Sequence, residues 1–127
     1  MTDQDAQSAF ESYLGAFAER SAGKREEMLR SSVAEDIAFS NPGVDGRGLD
    51  DLLIHIVRFQ THYPDSYFRI NWFLQQHGQM LAEWSQINPD GSEFVTAHSY
   101  ARLNDEGHIS HFAGFWKPFN SNCSAPV

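Results

Sequence analysis

The sequence holds a single cysteine, Cys123, among 127 residues, so no internal disulfide can form. With no CxxC pair and no HExxH string, it lacks a recognisable ligand set for structural zinc, and neither metal nor cofactor is expected. Positive charge is scarce. Nine Lys and Arg against seventeen Asp and Glu give a net charge of −8, which repels the phosphate backbone of nucleic acids and anionic membrane surfaces. The acidity is spread along the chain, as on a solubilising surface. No apolar run approaches membrane-spanning length, and the acidic opening MTDQDAQ has no apolar core of the kind a secretory signal carries. A cytoplasmic protein is the expectation. There is no GxSxG string, Ser99 has no His–acid pair at motif spacing, and no two carboxylates stand out as an acid–base pair.

What the sequence does contain is a long hairpin over residues 92–119. Two β-rich runs flank Asn104-Asp105-Glu106-Gly107, four turn formers ending in a glycine able to take positive φ. Before the turn the alternation is strict. Val95, Ala97, Ser99, Ala101 and Leu103 form a small, mostly apolar face, and Phe94, Thr96, His98, Tyr100 and Arg102 a bulky one. The small face leaves room for something to sit on it. After the turn Ile109, Phe112, Phe115 and Trp116 break the period of two, and Gly114 among them suggests a bulge or sharp bend.

The rest of the chain supplies helices first. Phe10, Tyr13, Leu14 and Phe17 recur at helical spacing behind a Thr2 or Asp3 cap; Ser21-Ala22-Gly23 breaks this helix, and a shorter one follows over 24–30. Ile37 and Phe39 mark a short strand that Asn41-Pro42-Gly43 ends, and residues 43–48 read as a loop. Leu49, Leu52, Leu53, Ile56, Phe59 and Tyr63 define a third helix stopped by Pro64, after which alternating runs give four antiparallel strands. The reading is one α+β domain over residues 1–119, large enough to bury roughly two-thirds of its unfolded surface. A flexible polar tail over 120–127 follows it.

This order resembles the SnoaL-like branch of the nuclear transport factor 2-like superfamily. The resemblance rests on the Tyr13-bearing helix, Asn41-Pro42, Gly48 opening the third helix, Leu52, His55-Ile56, Pro64, Trp84, the tract 99–109 and Gly114-Phe115-Trp116, and it spans about residues 7–118. It implies a cone-shaped, curved antiparallel sheet wrapped around three N-terminal helices (a cystatin-like α+β roll), with a pocket inside. It also implies a small hydrophobic partner, and a cofactor-independent isomerase, cyclase or dehydratase acting on a hydrophobic carbonyl compound. The alternative is a non-catalytic ligand-binding or dimeric accessory module, because one fold hosts many functions. The ketosteroid isomerase branch adds a test at single positions. Its tyrosine donor falls on Tyr13, its carboxylate base on Asn41 and its second donor on Ser99. An amide cannot act as a general base, so the usual steroid-isomerase route is disfavoured.

Two residues are candidates for catalysis. His55 lies with Leu52 and Phe59 at the edge of an apolar helix stripe, where an imidazole could act as acid or base, or simply hydrogen-bond to backbone. Tyr13 carries a hydroxyl on an apolar face, where it needs a partner such as Asn41 or a ligand oxygen. Asn41, Phe59, Trp84, Ser99 and Phe115 are the candidate ligand-binding residues, facing one another across a mostly apolar cavity; Trp84 could equally be ordinary core. The bulky hairpin face, with Phe94, Tyr100 and Trp116, is expected to pair in a homodimer through the outer side of the sheet.

Overall fold

The computed structural model describes residues 3–117. Thr2, the tail 120–127 and Cys123 lie outside the described residues. Helix α1 (Asp3–Ala16) is followed by α2 (Ala22–Arg30), and the serine read as a helix break is the start signal of α2. Ser21 Oγ accepts from the Lys24 backbone N–H at 3.3 Å, satisfying one of the donors a helix start leaves unpaired. Strands β1 (Val33–Asn41) and β2 (Val44–Arg47) form a hairpin ahead of α3 (Leu49–His62). Then come β3 (Tyr67–Gln76), β4 (Gln79–Ile87), β5 (Glu93–Leu103) and β6 (Ile109–Phe115). The expected α+β class and the three helices stand. No helix among the described residues is long and apolar enough to cross a membrane.

The six strands make one curved, unclosed sheet in the order β2-β1-β6-β5-β4-β3. Three features differ from the sequence reading. First, residues 43–48 are not only a loop: β2 pairs with β1, placing Gly46 opposite Phe39. Second, the sheet is not wholly antiparallel. The β3–β6 meander returns β6 beside β1 running the same way, so these two pair in parallel. Third, the irregularity of the last strand is not at Gly114. Leu103 pairs with Ile109 and Arg102 with His111, so Ser110 is the inserted residue. A similar insertion at Asn71, between the Ile70–Trp84 and Trp72–Glu83 pairs, flips β3. Phe68, Ile70 and Phe73 pack against the core, whereas Trp72 and Leu74 turn outward.

The helices are fastened together by one buried cation. Arg25 of α2 donates through Nη1 to Gln60 Oε1 of α3 at 2.7 Å, and Gln60 Nε2 donates to the carbonyls of Phe17 and Glu19 at 3.0 and 2.8 Å. An arginine is tolerated inside because its charge is met by oriented acceptors.

Gly46 is needed for space rather than for a turn. A Cβ there would lie 2.4 Å from Phe39 Cζ, so the ring rests over bare backbone. Gly46→Ala should destabilise the fold by about 1–3 kcal/mol, as overpacking does, measured from urea midpoints. An unchanged midpoint would mean the ring is not held there.

Candidate functional site

The small face of β5 points inward, as its alternation requires, and the aromatic residues of α1, α3 and the neighbouring strands converge on it. Its two halves differ. Near Ala101 the space is filled: Phe112 pairs with Ala101 in register, Tyr13 stacks on Phe112 with centroids 3.9 Å apart, and Phe10 packs on both Phe112 and Phe73. This is ordinary close packing over small residues.

Near Ser99 the arrangement is a girdle. His55 meets Phe17 edge-on at 5.8 Å, Phe17 meets Phe68 at 5.7 Å, Phe68 meets Trp84 at 4.9 Å, and Trp84 meets Trp116 at 5.9 Å. From Trp116 the circuit passes over Gly114, where a Cβ would lie 3.0 Å from Trp116 Cζ3, 3.7 Å from Asn41 Cβ and 3.8 Å from Ser99 Oγ. Asn41 belongs to β1, whose Phe39 stacks on His55 at 5.7 Å and closes the ring. Phe59 packs on Phe17 and Phe68.

Polar atoms in this half are conspicuously unpaired. Buried and without a hydrogen-bond partner are His55 Nε2, Trp116 Nε1 and Gln86 Oε1. Gln86 lies on the same strand face as Trp84, and its amide donates only a long 3.4 Å bond to Ser66 Oγ. Ser99 Oγ accepts the Trp84 indole N–H at 2.8 Å. Each unpaired buried group costs about 1–3 kcal/mol, so native proteins carry few of them.

The expected site residues divide accordingly. His55, Phe59, Trp84, Ser99 and Asn41 are brought together in the girdle. Asn41 also closes the β1–β2 turn, accepting from the Gly43 N–H at 2.7 Å. Tyr13 lies on the filled side, separated from His55 by the ring of Phe17. Phe115 does not face the interior: it pairs with outward His98 and is 57% exposed. The bulge at Ser110 restores strict alternation afterwards, so Phe112, Gly114 and Trp116 point in and Phe115 points out. Trp116 is therefore the residue missed in the sequence. Its parity with Gly114 would have found it, had the bulge not been placed at that glycine. The same correction removes Trp116 from the outer face.

Electrostatically the interior is quiet. Burial, with a smaller push from Arg58, lowers the His55 pKa from 6.5 to about 4, so the ring is neutral at pH 7. Burial raises the Tyr13 pKa well above its usual value, and it stays protonated. No Asp or Glu is buried among the described residues, and none of their His, Cys, Asp and Glu cluster in a way that could hold a metal ion.

No protein-family model matches this sequence, and no curated protein does. Solved structures match its fold closely. A candidate isomerase of the SnoaL-like family from Agrobacterium tumefaciens superposes with a TM-score of 0.83 at 22% identity, covering 90% of this chain and 98% of that one. A candidate SnoaL-like polyketide cyclase from Jannaschia sp. CCS1 gives 0.70 at 10% identity, covering 88% and 84%. A candidate ketosteroid isomerase from Kribbella flavida gives 0.68 at 18% identity, covering 96% and 84%. The chain has the SnoaL-like, nuclear transport factor 2-like fold that its sequence resembles.

The depressed His55 pKa has a signed consequence. Folded His55 resists protonation that the unfolded chain accepts, so its stabilisation is complete above pH 6.5 and is lost as pH falls toward about 4. Between pH 7 and 5 the wild type should lose about 2 kcal/mol more than His55→Gln, at roughly 1.4 kcal/mol per unit below 6.5. Equal losses in urea titrations would place His55 in water.

Proposed function

We propose that the girdle around Ser99 is a binding site for a small, neutral, largely aromatic or alicyclic carbonyl compound. One observation carries this reading: polar atoms from α3 and β4 and the Trp116 indole N–H are buried without partners on the same inner side of the sheet, within apolar aromatic walls. Ligand sites commonly take that form, apolar walls with a few polar groups for orientation. Among the described residues the interior carries no carboxylate and its histidine is neutral, which favours binding over strong acid–base catalysis. With an amide at position 41, steroid isomerisation by a carboxylate base is not part of the proposal.

A second reading has its own support. His55 Nε2 is unpartnered and neutral, so it could accept an α-proton from a bound ketone, as in an isomerase or cyclase. 2-Tetralone separates the two. Binding alone predicts saturable quenching of tryptophan fluorescence with α-proton exchange in D2O at the buffer rate. Catalysis predicts exchange well above that rate, level above about pH 5 and abolished in His55→Gln. The expected result is saturable binding without accelerated exchange; no saturation at all would contradict the site.

The outer side of the sheet supports assembly as a homodimer, although of the three residues first expected only Tyr100 lies in its exposed rows. Trp116 is inside, and Phe94 packs against Tyr63 at 5.3 Å. Two cross-strand rows run across the outer face instead. Leu74, Leu81, Tyr100 and Ala113 make one, and Trp72, Glu83, His98 and Phe115 make the other. Leu74, Leu81, Trp72 and Phe115 are all exposed, a large apolar patch for a monomer. Pairing this face about a two-fold axis would cover it twice over. Light scattering should give a dimer at tens of micromolar for the wild type and a monomer for Leu81→Arg; a monomeric wild type would contradict this assembly.

A further inference from the structure

The outer face of the sheet holds a titratable pair among its apolar residues. His98 Nε2 lies 3.2 Å from Glu83 Oε1, and the two are direct cross-strand partners on β5 and β4. Aromatic residues stand on both sides of them. Trp72 pairs with Glu83, and its ring centroid is 5.9 Å from that of His98, while Phe115 pairs with His98 from β6. In the single chain both side chains still reach water, that of His98 being 50% exposed and that of Glu83 28%. The second Glu83 oxygen accepts from the neutral Asn71 amide at 3.1 Å, so among the described residues His98 is the one cation that can pair with this carboxylate. The other charged groups on this part of the face nearly balance. Arg69 donates to Asn71, Glu93 holds Ser85 and Thr96, Arg102 and His111 are cross-strand partners, and Lys117 follows Phe115. The net charge of −8 therefore lies mainly elsewhere, and a second copy meets little like-charge repulsion here.

We infer that the Glu83–His98 pair is a pH-sensitive switch in the homodimer interface, so that two copies associate more tightly as the imidazole gains its proton. The inference rests on the outer-face dimer proposed above and adds its regulation. Association takes the pair out of water, and a covered carboxylate is costly unless a cation meets it. An imidazole changes its charge between about pH 5 and 8. With His98 protonated, the pair enters the interface without net charge, and the imidazolium lies beside the Trp72 ring, a favourable place for a cation. With His98 neutral, each copy carries one uncompensated carboxylate into the interface. Association therefore takes up protons, and by linkage protons strengthen association. The general loss of negative charge as other exposed histidines protonate acts in the same direction, but it survives removal of His98.

Sedimentation velocity on dilution series at about pH 6 and pH 8 tests this, the range in which an imidazole titrates. Urea below the unfolding range is added wherever dilution alone does not dissociate the dimer. The wild-type dimer should be about 10-fold or more weaker at the higher pH, one titrating pair per copy being worth about that factor. His98→Gln, which keeps a hydrogen-bond donor and cannot be charged, should narrow the difference to within about 3-fold. Glu83→Gln should flatten or reverse it, because protonation then leaves an unpaired imidazolium in the interface. A merely structural role for Glu83 would instead weaken the dimer equally at both pH values. His111→Gln, beside Arg102 on the same face, should retain the wild-type difference. A wild-type dimer equally tight at both pH values would overturn the switch while leaving the dimer intact, as would a full difference that survives His98→Gln. A wild type that is monomeric throughout would fail the assembly reading itself, and the switch with it.

Discussion

The structure depends on a constraint carried by one strand, the smallness of the inward face of β5. Ala97, Ser99 and Ala101 lie near the middle of the sheet and are fully buried, yet none reaches far from the backbone. Whatever fills the interior must come from elsewhere, and the chain supplies rings from α1, α3, β1, β3, β4 and β6. Over Ala101 the rings of Tyr13 and Phe112 stack and the space closes. Near Ser99 they meet edge to face, and His55 Nε2, Trp116 Nε1 and Gln86 Oε1 are buried there without hydrogen-bond partners. The same small face thus gives a packed core at one end and a candidate site at the other.

The glycines of this region serve the same end. Gly46 lets the Phe39 ring lie on the β2 backbone, where it backs His55, and Gly114 lets the Trp116 indole fold across β6 toward Asn41 and Ser99. Each places a ring by removing a Cβ, not by adopting an unusual φ. Chemistry at the site follows from what these placements exclude. Desolvation keeps His55 neutral and Tyr13 protonated, and among the described residues no buried carboxylate is present to reverse either. A site of this kind is suited to hold a neutral molecule by shape and by donors.

Much of this was legible in the sequence. The helices, the meander and the inward small face follow from periodicity and turn chemistry, since alternation is read directly from burial. The Asn104–Gly107 turn closes as its composition implies, with Gly107 at φ 82° and its N–H bonded to the Asn104 carbonyl. The failures share a cause. Bulges at Asn71 and Ser110 each invert the facing of the residues beyond them, and a bulge is fixed by pairing with a distant strand rather than by local composition. That is why Phe115 was chosen over Trp116. The β2 strand was hidden for a related reason: with three glycines between 43 and 48, the residues look like a loop until β1 pairs with them. Neither Gln86 Oε1 nor the lone N–H of Trp116 could be recognised as unpaired without coordinates.

The central claim is that an aromatic girdle encloses an unpaired, ligand-ready indole N–H at Trp116. The protein has three tryptophans in three distinct states: Trp72 on the outer face, Trp84 hydrogen-bonded to Ser99, and Trp116 buried without a partner. Their indole N–H signals can be followed separately by 15N-resolved NMR during titration with 2-acetylnaphthalene. The account predicts that the Trp116 proton moves downfield saturably, as a new hydrogen bond forms, while Trp72 stays still. A Trp116 signal that does not respond, or one that shifts only in step with Trp72, would contradict it.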